Sequence, residues 1–471
     1  MSIVKAVLVA LEVLALFNLL IFVHELGHFL AARWRGLKID RFAIWFGKPI
    51  WKTKINGVEY ALGSIPAGGY VSLPQMATME AIEGKGESSD QPLVPISALD
   101  KIIVAFAGPL FSFLLALAFA VVVMFVGRPV SEAETTTIIG YVEKDGPADK
   151  AGLKPGDKIL EVDGKPVSKF GGMGDSVTWR IVRSEGSTVP VQVERDGKVL
   201  LFNPAPTKDE TKAWQRKSLR QIKIAPAESA VIAEIVPNGP AARAGLKRGD
   251  HVLDVNGSRL YHFAALTEYV EEHPDQPLAL NVERDGKCLA LSVKPEKPIS
   301  PPGERPRIGI TWDGNGKTKL VYPGAIEQVS ASVSAMVDTF GALFARRSDI
   351  KPQHLGGAVK IMDVYARLFS SEQGWRLALW FSVLMNVNLA VLNMLPVPVL
   401  DGGHILLAII EGIRRKPISG RIIGIVQTSC AVVIIAFMVY IAFYDVQDLP
   451  WKRSKEKTVD IQFAPKAPAN N

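Results

Sequence analysis

Five residues near the N-terminus, His24-Glu25-Leu26-Gly27-His28, fit the pattern H-E-x-x-H. On a helix, residues four apart lie on one face, so both imidazoles can bind the same divalent metal ion. Glu25 stands beside the first histidine, where its carboxylate can take a proton from a water molecule at the metal. The pattern predicts metal-dependent hydrolysis, but five-residue matches also arise by chance, so the surrounding sequence must decide.

The sequence around this pattern is apolar from about residue 4 to residue 32. A helix needs about 20 residues to cross the hydrocarbon of a bilayer, and this stretch is longer. A charge at mid-membrane costs at least ~2–3 kcal/mol, so ionisable groups are retained there when they serve a site. A polar cluster satisfied by interhelical hydrogen bonds is the structural alternative. A signal peptide is disfavoured because the stretch is long and lacks a clear small-residue cleavage site.

A third metal ligand is needed, because catalytic zinc sites usually have three protein ligands and one open position. Asp401 is the candidate, since it follows an apolar stretch whose helix Pro396 and Pro398 must break. Broken backbone at membrane depth is tolerated inside protein or beside a water-filled cavity, where a carboxylate can reach a metal. His404 is an alternative ligand, although we interpret it as a neighbour of the site.

Three further stretches are apolar enough to span a membrane, at about 102–126, 377–395 and 422–443. Four spans place both termini on one side. The loops after the first span and before the fourth are rich in lysine and arginine, which predicts that both are cytoplasmic. The region between the second and third spans then lies outside the cytoplasm. The basic tail after residue 451 would also lie outside, which runs against the same rule.

The middle region contains an internal repeat. Residues 146–164 read GPADKAGLKPGDKILEVDG, and residues 239–257 read GPAARAGLKRGDHVLDVNG. A second echo, V-E-R-D-G-K, begins at Val193 and again at Val282. Two copies of one globular module are therefore predicted. Each copy alternates short β-type runs with turn dipeptides and holds one helical stretch. In the first copy the β-type runs are Lys158–Val162 and 189–194 and the helical stretch is 176–183. In the second copy they are His251–Val255, 278–283 and 264–272.

The segments beside the repeats have patterns of their own. Residues 295–306 are rich in proline and predict an irregular connection, and the polar residues 77–97 predict a flexible loop. Apolar residues then recur at helical spacing, at Ile326, Val329, Val333, Met336, Phe340 and Phe344. This pattern fits an amphipathic helix that returns to the membrane, or a plain surface helix of the middle region.

The composition of the chain places only weak constraints on its partners and on disulfide bonds. The chain has 471 residues and a formal net charge of +7, a small excess that basic loops beside membrane spans explain without a nucleic-acid partner. Its 2 cysteines, Cys288 and Cys430, are far apart and lack metal-ligand spacing, so no disulfide framework is predicted.

Taken together, these motifs resemble the site-2 protease family of intramembrane metalloproteases, in its bacterial RseP-type branch. The resemblance covers nearly the whole chain, with H-E-x-x-H in the first span, N-x-x-P-x-P-x-L-D-G from Asn393 and tandem PDZ-like modules between them. Pro66-Ala67-Gly68-Gly69 is similar to the family's P-x-G-G segment, which follows a membrane-associated β-hairpin. Here that hairpin would span about 41–64 and turn at Asn56-Gly57. Ala107-Gly108-Pro109 is similar to the family's A-G-P motif, but Ser112 stands where the family usually has asparagine.

The resemblance implies a helical polytopic membrane core, with four transmembrane helices and a membrane-associated β-hairpin, that carries two inserted α+β PDZ-like domains. The expected divisions are an N-terminal membrane core at 1–130, PDZ-like domains at 131–225 and 226–320, a juxtamembrane amphipathic region at 321–374, a C-terminal membrane core at 375–450 and a disordered tail at 451–471.

The resemblance also implies a mechanism and a setting. His24, His28 and Asp401 would hold Zn²⁺, with Glu25 as general base and later general acid. Asn388 and Asn393 match family asparagines near the third ligand and would hold the substrate backbone or the oxyanion, and ordinary interhelical hydrogen bonding is their alternative. Pro66, Gly68 and Gly69 would mark the region that receives a substrate strand. The expected location is the bacterial inner membrane, with the PDZ-like domains extracytoplasmic.

Expected partners are the lipid bilayer, single-span membrane protein substrates of the anti-sigma-factor or remnant-signal-peptide type, and an upstream site-1 protease. A catalytically inactive PDZ scaffold is the alternative function. A metal transporter is a second alternative, but transporters usually repeat their membrane halves, and the repeat found here lies in the middle region.

Overall fold

The computed structural model describes residues 3–76, 96–449 and 461–464, apart from single positions 275, 302, 315, 372 and 417. These residues divide into two compact units. The first, the membrane unit, comprises Met1–Arg128, Tyr322–Val337 and Leu355–Val446. The second, the repeat unit, comprises Pro129–Val321, Asp338–His354 and Gln447–Asn471.

The membrane unit is built on long apolar helices. Its helices are α1 (Ile3–Trp34), α2 (Ala98–Val126), the first part of α7 (Ala325–Phe344), α8 (Ala358–Ser370), α9 (Gly374–Asn393), α10 (Asp401–Arg414) and α11 (Gly420–Gln447). Among the described residues, four helical stretches are long and apolar enough to cross a membrane: Val4–Trp34, Ala98–Val126, Gly374–Asn393 and Arg421–Gln447. The four predicted spans are thus confirmed as helices of sufficient length and apolarity.

Helix α2 lies at the centre of the membrane unit and packs against α1, α9 and α10. It begins at a capping box, in which Ser97 Oγ accepts a hydrogen bond from Asp100 N at 3.1 Å and Asp100 in turn accepts from Ser97 N. Pro109 lies inside the helix without ending it. Helix α2 therefore contacts both helices that carry predicted metal ligands, α1 and α10, and can hold those ligands in position.

The membrane unit also holds a four-stranded sheet, β1 (Arg41–Phe46), β2 (Trp51–Ile55), β3 (Val58–Leu62) and β4 (Ile65–Ser72), in the order β2-β3-β1-β4. Asn56 and Gly57 connect β2 to β3 with φ of 52° and 85°, as the predicted turn requires. The predicted extent of the hairpin, 41–64, is wrong, because β1 pairs in parallel with β3 and antiparallel with β4. The result is a sheet with β4 on its edge.

The repeat unit contains the two modules, called here the first module (131–225) and the second module (226–320). Its strands are β5 (Arg128–Val130), β6 (Ile139–Val142), β7 (Lys158–Val162), β8 (Lys165–Pro166), β9 (Val191–Arg195), β10 (Lys198–Phe202), β11 (Ile224–Pro226), β12 (Ala230–Ile235), β13 (His251–Val255), β14 (Ser258–Arg259), β15 (Leu278–Arg284), β16 (Lys287–Val293), β17 (Ile310–Trp312) and β18 (Lys319–Val321). Its short helices are α3 (Pro147–Ala151), α4 (Val177–Arg183), α5 (Pro240–Arg243) and α6 (Phe263–Glu272). The predicted β-type runs and helical stretches coincide with β7, β9, β13, β15, α4 and α6 within two residues.

Both modules repeat one buried ion pair. In the first, Arg195 donates to Asp157 and to the carbonyl of Gly152. In the second, Arg284 donates to Asp250 and to the carbonyl of Gly245 in the same way. The Gly-Asp and Arg-Asp-Gly sequences that recur in the two modules therefore form the same contact in each module.

Helix α7 covers the predicted amphipathic pattern. Val329 packs in one apolar cluster with Ala116 and Ala120 of α2 and with Val383 and Val387 of α9. Gln328 Nε2 donates to the carbonyl of Ala120 at 2.9 Å. The first half of α7 therefore lies against apolar spans, which excludes a plain surface helix of the middle region.

The C-terminal segment departs from the disorder expected for 451–471, because residues 461–464 are paired with the second module. The remainder of that predicted tail, apart from this segment, lies outside the described residues, as does nearly all of the predicted loop at 77–97. The domain boundaries proposed from the sequence stay predictions.

Candidate metal centre

Two histidines of α1 point at each other from successive turns. His24 Nε2 and His28 Nε2 are 3.3 Å apart, and the two residues are only 7% and 2% exposed. The spacing of four residues puts both rings on one face of the helix, as the sequence predicts. Two nitrogen donors therefore face one point inside the membrane unit.

Asp401 supplies an oxygen donor at the same point. It is the first residue of α10 and is 8% exposed. Its Oδ2 lies 3.4 Å from His24 Nε2, and its Oδ1 lies 3.4 Å from His28 Nε2. One ligand atom from each of the three residues lies within 4.8 Å of the others, and the described residues contain no second such cluster. His404, the alternative ligand, is buried in the next turn of α10 and is outside this cluster.

Glycines next to Asp401 explain how α10 can begin so close to the end of α9. A Cβ on Gly402 would lie 2.2 Å from the carbonyl oxygen of Met394, and one on Gly403 would lie 2.1 Å from that of Val397. Real Cβ atoms do not approach so closely, so these two positions require glycine. The Asp-Gly-Gly sequence thus lets the carboxylate stand directly after the broken backbone.

Helix α2 orients both imidazoles from behind. His28 Nδ1 lies 2.8 Å from the carbonyl oxygen of Val104, and His24 Nδ1 lies 3.0 Å from Ser112 Oγ. Because a carbonyl can only accept, His28 carries a proton on Nδ1, and its neutral imidazole, the form that binds a metal, presents a lone pair at Nε2. Ser112 carried no predicted role. The feature that could have indicated a role for Ser112 is its position one helical turn after Gly108, on the face of α2 that contacts His28.

The donor set fits zinc. Two imidazole nitrogens and one carboxylate oxygen are zinc ligands, and three protein ligands leave a fourth position open. Asp401 Oδ2 is buried and makes no hydrogen bond with any described atom. A buried carboxylate oxygen without a hydrogen bond is costly unless a cation compensates it, so the site is chemically incomplete without a metal.

Glu25 lies where strand β4 meets α1. A Cβ on Gly69 would lie 3.0 Å from Glu25 Cγ and 3.2 Å from the carbonyl oxygen of Ala43, so the strand backbone abuts this side chain. Gly68 has a φ of +72°, and a Cβ there would lie 2.0 Å from the ring of Phe46. Pro66 is exposed at the start of β4. The structure therefore brings Gly69 to Glu25 and leaves Pro66 further along the edge strand.

The two candidate asparagines of α9 differ in placement. Asn393 Nδ2 lies 3.2 Å from His24 Nε2, beside the ligand cluster. Asn388 lies five residues earlier, about 140° away around the helix. Its Oδ1 is buried and has no hydrogen-bond partner in the described residues. The structure thus joins Asn393, but not Asn388, to the candidate metal ligands by a direct contact.

The chain is similar to known proteases. Residues 12–437 match the model of peptidase family M50. A regulator of sigma E protease from Salmonella typhi is 31% identical over 430 residues, which cover 86% of this chain and 91% of its own. Regulator of sigma-E protease RseP from Escherichia coli is 29% identical over 453 residues, which cover 92% and 97%. A protein of Neisseria meningitidis that bears the name zinc metalloprotease is 29% identical over 451 residues, which cover 91% and 96%.

Among solved structures, a PDZ domain of an SdrC-like protein from Listeria monocytogenes is 22% identical, covers 19% of this chain and has a TM-score of 0.16. That score is too low to bear on the fold of the modules. The family match and the relatives each extend over most of the chain, and the family match includes both halves of the metal cluster. The chain therefore belongs to peptidase family M50, the site-2 protease family, and is a membrane metalloprotease.

Proposed function

We propose that this chain is an intramembrane zinc metalloprotease that hydrolyses peptide bonds within or near the transmembrane segments of single-span membrane proteins. The observation that carries the proposal is the buried convergence of His24, His28 and Asp401 from two parts of the membrane unit. A hydrolytic metal site among apolar helices is suited to substrates that are themselves in the bilayer.

Each residue of the site has a separate task. His24, His28 and Asp401 would hold the zinc, which when bound would supply Lewis-acid activation of the scissile carbonyl. Glu25 takes a proton from the attacking water and returns it to the leaving amine. Asn393 would hold the substrate backbone or the oxyanion, and its contact with His24 supports this assignment. Asn388 is retained as a weaker candidate for the same task.

A transmembrane substrate must unwind locally, because its helix hides every peptide bond in i to i−4 hydrogen bonds. The freed N–H and C=O groups then need partners. Strand β4 is an edge strand, and its Gly69 abuts Glu25, so a substrate strand added to β4 would lie beside the general base. Single proline substitutions along Ile65–Ser72 should depress turnover, and unchanged cleavage by all of them would count against this arrangement.

The location we propose is a bacterial inner membrane, with the repeat modules on the extracytoplasmic side. The basic loops support that orientation. The named relatives regulate sigma E, so anti-sigma factors are the first substrate class to test, and remnant signal peptides are the second. The modules would act as PDZ-like size filters that exclude bulky substrates until an upstream site-1 protease has trimmed them. Deletion of 135–300 should admit untrimmed substrates, whereas a plain tether predicts unchanged selectivity.

The decisive experiment compares the purified enzyme with its Glu25→Gln variant on a panel of single-span substrates, with zinc content measured in both. The variant should keep its zinc and lose about 10²–10⁴-fold in turnover, because a carboxamide cannot accept the proton. An inactive scaffold would show no cleavage in either protein. That alternative is not favoured, because the ligand set and Glu25 are all present.

A further inference from the structure

The C-terminal segment 461–464 pairs with the second module through one isolated antiparallel β-bridge, between Gln462 and Ser300. Ile299 N donates to the carbonyl of Gln462 at 2.8 Å, and Gln462 N donates to the carbonyl of Ser300 at 3.1 Å. Ile461 and Phe463 alternate with Gln462, whose side chain is exposed. Successive residues of a strand face opposite sides, so the segment presents its apolar side chains to the module.

Phe463 anchors this segment. Its side chain is 4% exposed, although it stands near the end of the chain. A Cβ on Gly239 would lie 3.2 Å from its ring, and a Cβ on Gly309 would lie 2.9 Å from its ring and 3.4 Å from Val236 Cβ. Two glycines therefore leave the space that the ring fills. We call the cleft formed by Val236, Gly239, Gly309 and the backbone of Ile299 and Ser300 the Phe463 cleft.

We infer that the Phe463 cleft is a peptide-binding site for an extended segment with an aromatic side chain, and that the chain's own C-terminal segment is its resident ligand. Backbone hydrogen bonds give the segment its direction, and the ring gives it specificity. The segment lies beyond residues 12–437 that match the family, and the cleft residues are distinct from the candidate metal ligands. The cleft becomes available to a segment in trans when the resident ligand is removed.

The first test uses hydrogen exchange of the Ile299 amide in the full-length protein. Two variants remove the ligand, Phe463→Ala and a chain that ends at residue 456, and Gln462→Ala is the matched control. Exchange at Ile299 should accelerate at least ten-fold in the first two and stay unchanged in the control. Amides of β13 report whether the module remains folded. Equal exchange at Ile299 in the wild-type and shortened chains would overturn the inference.

The second test adds a synthetic peptide of residues 457–468 to the shortened chain at about 1 mM, comparable to the effective concentration of a tethered segment. The peptide should restore protection at Ile299. Peptides with Phe463→Ala, or with an N-methylated Gln462 that cannot donate to Ser300, should fail, and the Gln462→Ala peptide should succeed. If the Phe463→Ala peptide protects Ile299 as well as the unmodified one, the cleft does not select an aromatic side chain and the inference is wrong.

Discussion

Replacing Gly108 with alanine should weaken metal binding at least about 100-fold without unfolding the membrane unit. Gly108 belongs to α2, and a Cβ at this position would lie 2.1 Å from His28 Nε2, 2.5 Å from its Cε1 and 2.8 Å from its Cδ2. Non-bonded atoms of this kind approach to about 3.5 Å, so the imidazole would have to move by roughly 1.4 Å. The hydrogen bond from His28 Nδ1 to Val104 opposes that movement.

The size of the effect follows from the tolerance of a metal site. Zinc–nitrogen distances vary by about 0.2 Å around 2.0–2.1 Å, much less than the displacement that the methyl group imposes. Loss of a supporting partner alone typically costs 10–100-fold in metal affinity, so moving a ligand should cost at least about 100-fold. Alanine is itself a better helix former than glycine by roughly 1 kcal/mol, so the helix should not be weakened.

The assay is zinc content together with chelator competition on the purified protein, with thermal unfolding measured in parallel. Gly412→Ala is the matched control, because its Cβ would meet Ala98 Cβ at an ordinary 3.5 Å. The control should keep its zinc. A Gly108→Ala protein that binds zinc with wild-type affinity would refute the assignment of His28 Nε2 as a ligand atom.

Two further predictions concern contacts that support the site and the modules. Ser112→Ala removes the hydrogen-bond partner of His24 Nδ1 and should weaken zinc binding about 10–100-fold in chelator competition. The thermal unfolding of the variant should stay near that of the wild type. Unchanged zinc affinity would show that Ser112 does not orient His24. Arg284→Ala should destabilise the second module, measured as faster hydrogen exchange of the β13 amides, because Asp250 is 1% exposed and would lose its partner. Burial raises the pKa of Asp250, but hydrogen bonds from Arg284 and from Lys247 N outweigh it and hold the pKa below its ordinary value. The stability due to this pair is therefore present above about pH 4, the unfolded pKa, and is lost as the pH falls through the folded pKa. In the variant this acid-induced decline should be smaller, because without Arg284 the folded pKa of Asp250 is no longer held as far below its unfolded value, and identical pH profiles would contradict the pairing.

Much of the metal site could be predicted because its signals are local. Residues four apart on a helix share a face whatever surrounds them, so His24 and His28 follow from helical geometry alone. Prolines that break a helix next to an apolar span mark Asp401 for the same reason. The four apolar stretches and the repeat in the middle region could likewise be predicted, because both are visible in consecutive residues of the sequence.

Contacts between distant segments were decided by the tertiary structure. The parallel pairing of β1 with β3 makes a sheet where the turn at Asn56-Gly57 indicated only a hairpin. The hydrogen bond of Ser112 to His24 joins residues 88 apart, and Phe463 fills a space left by Gly239 and Gly309. Periodicity and turn chemistry are set by bonded geometry within a few residues. Which surfaces then meet depends on how the whole chain packs, and a single sequence carries no short-range signal for that.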